Sequence, residues 1–68
     1  MDEVAITGET IRLGQLLKLV NLVEQGSDAK EVLSSGLVSV NGRPETRRGR
    51  QLVRGDVVSH GQTQVMVT

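Results

Sequence analysis

Ala29-Lys30-Glu31-Val32-Leu33-Ser34-Ser35-Gly36-Leu37-Val38-Ser39-Val40-Asn41-Gly42 is the stretch on which the fold turns, because the apolar period changes inside it. Ala29, Val32 and Leu33 stand three and four apart, one face of a short helix. Asp28 and Glu31 fall in its first turns, where the helix dipole favours anions, and Ser27 or Asp28 has the chemistry of an N-cap. Gly36 is expected to stop the helix as the left-handed C′ residue, with Leu37 packing back on Val32. From Leu37 the period becomes two. Val38 and Val40 alternate with Ser39, and Asn41-Gly42 is the strongest short-range hairpin signal. Pro44 lacks an N–H for a ladder, which confines the returning strand to a sheet edge.

Toward the N-terminus, Glu24-Gln25-Gly26-Ser27 reads as a break. Before it, Leu13, Leu16, Leu17 and Val20 form the stripe of a helix with one buried face, extended by Ile11 and Val23. Thr10 is the expected N-cap, and Gly14 inside the helix costs about 1 kcal/mol relative to Ala. Arg12, Gln15 and Lys18 lie off the stripe, so the exposed side is mildly basic. Val4-Ala5-Ile6 has the composition of a short strand. Toward the C-terminus, Leu52-Val53 and Val57-Val58 read as a strand pair around the turn Arg54-Gly55-Asp56. Gly61-Gln62-Thr63 turns again into Gln64-Val65-Met66-Val67. The fold class expected is α+β, with two short helices packed on one face of a small, mostly antiparallel sheet.

Composition bounds the function. Sixty-eight residues allow one domain, with a stability margin of roughly 3–5 kcal/mol at this size. The absence of Cys excludes disulfides, thiolate zinc sites and thiol nucleophiles. The absence of Phe, Tyr and Trp excludes recognition by stacking bases on those rings. His60 is the single histidine; it neighbours Ser59 with no carboxylate placed to orient it, and no glycine-rich phosphate loop occurs. No catalytic residue, metal ligand or cofactor is expected, and the chain reads as a non-enzyme. The N-terminal Met1-Asp2-Glu3 is acidic and apolar runs reach only two or three residues, so neither a signal peptide nor a membrane span is expected.

Net charge is zero, but its distribution is not even. Residues 1–31 hold three cations and six anions, whereas residues 32–68 hold five cations and two anions. All five of those cations are arginines, Arg43, Arg47, Arg48, Arg50 and Arg54, with Glu45 the one anion among them. Arginine presents a planar fork that grips phosphate in two places, whereas lysine is a point charge. An arginine loop beside the basic side of a helix would build one phosphate-binding patch from distant parts of the chain.

The quoted stretch resembles the signature of the S4 RNA-binding domain family, A-x-x-L-I-x-x-G-x-V-x-V-N-G. Leu52-Val53-Arg54-Gly55-Asp56-Val57-Val58 is similar to that family's closing segment, and Arg12-Leu13-Gly14-Gln15-Leu16-Leu17 to its opening R-L-D-x-x-L. The variant as a whole looks like the small stand-alone bacterial S4 proteins. The resemblance implies an αL-type S4 fold, with 1–10 an N-terminal segment, 11–61 the S4-like RNA-binding domain and 62–68 a strand completing the sheet. It implies RNA contacts by matching position at Arg12, Lys30, Arg43, Arg47, Arg48 and Arg50; the helix face adds Lys18, and the arginine run adds Arg54. Gly14 replaces the family's Asp, and Gly26 replaces a usual cation, which moves the burden onto the arginine loop.

The implied partner is structured RNA, ribosomal or transfer, recognised through phosphates in the cytoplasm by a monomer linked to the ribosome or translation. In this reading Arg47, Arg48 and Arg50 act as bidentate forks and Asn41-Gly42 only shapes the hairpin. The alternative is a protein–protein adaptor that docks a basic partner through the acidic helical half.

Overall fold

The computed structural model describes residues 1–20 and 26–68. In chain order these form β1 (Asp2–Val4), β2 (Ile11–Arg12), α1 (Leu13–Leu19), α2 (Gly26–Ser34), β3 (Val38–Val40), β4 (Arg43–Pro44), β5 (Gln51–Leu52), β6 (Val57–His60) and β7 (Thr63–Val67). Five strands pair in the order β1-β7-β6-β3-β4. Every ladder in that sheet is antiparallel except β1 on β7. β2 and β5 form a separate antiparallel ladder, Ile11 opposite Leu52 and Arg12 opposite Gln51.

Alternation along the strands builds the inner face. Val40 stands opposite Val58, and Val58 opposite Val65, so these valines and their neighbours Val38 and Val67 point the same way. Val38, Val40, Val58 and Val67 meet Leu13, Leu16 and Leu17 of α1, Ala29 and Leu33 of α2, and Leu52 of β5 in one buried cluster. The two helices thus cover one face of the sheet, the expected α+β arrangement. Gln15 and Lys18 stay exposed on α1, as does Arg12 just before it.

The hairpin appears where the sequence puts it. Asn41 and Gly42 have φ of +53° and +84°, the paired left-handed residues of a type I′ turn, between Val40 and Arg43 in register. Pro44 lies on β4 at the sheet edge. Gly61 opens the second tight hairpin, with His60 opposite Thr63.

Several local expectations are corrected. Thr10 does not cap α1: Ile11 and Arg12 are spent on the ladder to β5, and the helix starts at Leu13 with no side-chain cap. The first free N–H groups are met by loop carbonyls instead, Leu13 by Arg50 at 2.8 Å and Gly14 by Arg48 at 2.9 Å. α2 begins at Gly26, so Ser27 and Asp28 lie within the helix and not at its cap. Of the expected break at 24–27, Gly26 and Ser27 thus belong to α2, while positions 24 and 25 and the expected contribution of Val23 lie outside the described residues. Gly36 takes the C′ position with φ +79°, but Leu37 stays exposed. The Ser35 hydroxyl accounts for this, donating to the Val32 carbonyl and accepting the Leu37 N–H, so it stands in for the direct closing bond. The N-terminal strand is Asp2–Val4 rather than Val4–Ile6. Leu52 and Val57 do not lie on paired strands; β5 pairs with β2 and β6 with β3 and β7.

Candidate nucleic-acid interface

The loop from Glu45 to Arg50 connects β4 to β5. It is anchored at its start, where the Glu45 N–H donates to the Val38 carbonyl at 2.9 Å and prolongs the β3–β4 pairing by one residue. The carboxylate of Glu45, a residue only 7% exposed, then collects donors from the residues that follow it. Oε2 accepts the N–H groups of Thr46 and Arg47 at 3.0 and 3.3 Å and Arg47 Nε at 3.3 Å. Oε1 accepts Arg47 Nη2 at 3.1 Å and Arg50 Nη1 at 2.9 Å. The Arg47 fork therefore grips this carboxylate side-on, in the geometry it would use on a phosphate. The two guanidiniums, Arg47 first, hold the Glu45 pKa down at about 2, from an ordinary 4.5.

With its two ends fixed, the loop closes as a tight turn in which the Arg50 N–H donates to the Arg47 carbonyl at 3.2 Å. Arg48 and Gly49 form its tip. That tip leans on α1 at Gly14, where a Cβ would meet the Arg48 Cβ at 3.3 Å and its carbonyl oxygen at 3.4 Å. The glycine that costs the helix propensity is what lets the loop approach so closely.

The result is an open cleft of about 290 Å³ lined by Arg12, Gly14, Gln15, Lys18, Ala29, Arg48 and Gly49. Three cations from two segments far apart in sequence converge here, and among the described residues no carboxylate lines the cleft. None of the three pairs with a carboxylate among the described residues. Lys18 also lies in the last turn of α1, where the helix dipole favours a cation.

The other expected contacts lie elsewhere. Lys30 is exposed on α2, one residue beyond the cleft wall at Ala29, and Arg43 is exposed on edge strand β4. Arg47 is bound to Glu45 but keeps 73% of its side chain exposed, and Arg50 keeps 36%. Arg54 donates to the Ile6 carbonyl at 2.9 Å, which ties the β5–β6 turn to the N-terminal segment. In the sequence Glu45 counts only as a charge, and Gly14 only as a helix cost and a departure from the family's Asp. A lone carboxylate two and five residues ahead of arginines was the available sign that it organises them.

A second set of bonds fixes the hairpin that carries the loop. Asn41 Nδ2 donates to Asp56 Oδ1 at 3.0 Å, Asn41 Oδ1 accepts the Val57 N–H at 2.9 Å, and Asp56 Oδ2 accepts the Val53 N–H at 2.9 Å. The Val53 N–H, then Asn41, lower the Asp56 pKa. The Asn-Gly and Gly-Asp signals, 15 residues apart, are thus two halves of one clamp. Asn41 is consumed in shaping the turn.

This fold and this clamp define a small αL-type domain with a basic cleft on its helical side. The S4 domain family model matches residues 4–68, and the chain belongs to that family. It is 49% identical over 57 residues to the probable ribosome maturation protein RlbA of Bacillus subtilis (strain 168), across 84% of this chain and 80% of that protein. It is 39% identical over 57 residues to the putative RNA-binding protein YbcJ of Escherichia coli (strain K12), across 84% and 81%. The solution structure of YbcJ from E. coli, described as revealing an αL motif involved in RNA-binding, matches with a TM-score of 0.75 and 33% identity. That match covers all of this chain and 87% of the other. Membership of this family agrees with the expectation of a non-enzyme. Among the described residues no helix is long and apolar enough to cross a membrane.

Proposed function

We propose that the chain binds structured RNA, ribosomal or transfer, through its phosphates, and that it acts as a cytoplasmic monomer in ribosome maturation or translation. The observation that carries this is the convergence of Arg12, Lys18 and Arg48 on one cleft that no carboxylate lines among the described residues. The names of the relatives, a probable ribosome maturation protein and a putative RNA-binding protein, support the same reading. Arg48 supplies a fork, Arg12 and Lys18 supply the facing charge, and Lys30 and Arg43 extend the footprint on either side. The exposed parts of Arg47 and Arg50 add field to the rim while Glu45 holds their forks. Arg54 reinforces the scaffold and lies at the margin of the footprint. Without aromatic rings the surface reads backbone and shape rather than splayed bases.

Titrating a labelled, folded ribosomal RNA fragment at several salt concentrations tests this. Each of Arg12→Ala, Lys18→Ala and Arg48→Ala is expected to weaken binding and to reduce the slope of log K against log salt by about 1. Binding that the triple variant leaves unchanged would remove the cleft from the reading. Amide shifts confined to residues 24–31 on adding RNA or a basic protein would favour the adaptor instead.

A further inference from the structure

We infer that Glu45 is the positioning residue of the RNA interface: by engaging Arg47 and Arg50 it delivers Arg48, alone among the arginines of its loop, to the cleft. The inference rests on the RNA-binding reading and adds to it which arginine of the loop does the contacting and why. Taken by charge alone, a carboxylate within a phosphate-binding arginine loop works against function, since it cancels one cation and repels the ligand. The geometry shows what it supplies in return. Five donors, all from residues 46–50, converge on its two oxygens. Those bonds set the turn whose tip carries Arg48 against Gly14, and they leave the carbonyls of Arg48 and Arg50 directed at the first N–H groups of α1. The carboxylate is buried under the loop, whereas Arg48 is exposed and lines the cleft. Loop shape and cleft charge are thus divided between different arginines.

The test sets charge against geometry. Glu45→Gln keeps the side-chain size and raises the net charge by one, so simple electrostatics predicts tighter RNA binding. Positioning predicts the reverse: several-fold weaker binding of the same labelled ribosomal RNA fragment, with a salt slope lower by about 1 as Arg48 leaves the footprint. Glu45→Asp, which keeps the charge and shortens the reach, is expected to fall between the two and serves as the readout should the glutamine variant fail to fold. In an Arg48→Ala background the Glu45→Gln change is expected to weaken binding no further, which a general loss of folding would not reproduce. Amide resonances of Gly14 and Thr46–Arg50 should move together in the glutamine variant while the rest of the spectrum stays in place. If the parent binds RNA and both Glu45 variants bind as tightly or more tightly, the inference is wrong. If the parent shows no salt-dependent RNA binding, the RNA-binding reading itself falls.

Discussion

Gly14 and Glu45 show how single residues set the cleft. Alanine at position 14 would gain about 1 kcal/mol of helix propensity but would press on Arg48. Since the Arg48 carbonyl is bonded to the Gly14 N–H, the loop must yield by a few tenths of an ångström rather than swing clear. Gly14→Ala is therefore expected to unfold within about 1 kcal/mol of the parent, while its RNA affinity drops. Calorimetry and RNA titration read the two quantities, and unchanged affinity would show that the close approach has no part in binding. For Glu45 the sign of the pH effect follows from its lowered pKa. The unfolded chain takes up that proton near 4.5 and the folded chain near 2, so the stabilisation is complete above about pH 4.5 and is lost as pH falls toward 2. Asp56, also lowered, contributes in the same direction. Melting followed by far-ultraviolet circular dichroism, which needs no aromatic residue, should fall across this window less steeply in Glu45→Gln. Superposable profiles for the two proteins would contradict the ion cluster.

Among the elements, the β3–β4 hairpin depends on Asn41 for both its backbone and its clamp. Asn41→Ala puts a Cβ-bearing residue without a local hydrogen bond at φ +53° and removes the bonds to Asp56 and Val57, an expected loss of about 1–3 kcal/mol. Asn41→Gly relieves the backbone but not the bonds, and should lie between parent and alanine in urea melts. If glycine equalled the parent, the side-chain clamp would be energetically silent. The elements whose formation is local were legible: α2 stops short of Gly36, the Asn41-Gly42 turn forms, and Pro44 takes the edge, each because one or two residues dictate the backbone there. The β2–β5 ladder was not. Strands of two residues have no period to read, and Ile11 fits a helical stripe as well as a strand. Thr10 was misread for the same reason, since the groups that satisfy α1 come from Arg48 and Arg50, remote in sequence.

For the whole molecule, a core this small leaves little reserve. Leu16 is fully buried between the helices and the sheet, and Leu16→Ala should cost about 2–5 kcal/mol against a total of roughly 3–5. Its amide spectrum at 37 °C is expected to be largely that of an unfolded chain; native dispersion would mean the core is better supported than its size implies. The cations of the site were visible in the sequence as a group, but their division was not. Which arginines face the cleft depends on a carboxylate becoming buried and on two distant segments touching, and a one-dimensional charge count contains neither. The parallel pairing of β1 with β7 also constrains the order of events during synthesis. Asp2–Val4 is made well before its partner Thr63–Val67, and the Thr68 N–H reaches back to the Val4 carbonyl at 2.8 Å. While the nascent chain grows, the opening strand waits unpaired, and its Asp2 and Glu3 are the kind of charges that discourage a wrong neighbour from pairing with it. A strand made so far ahead of its partner is obliged to pair late.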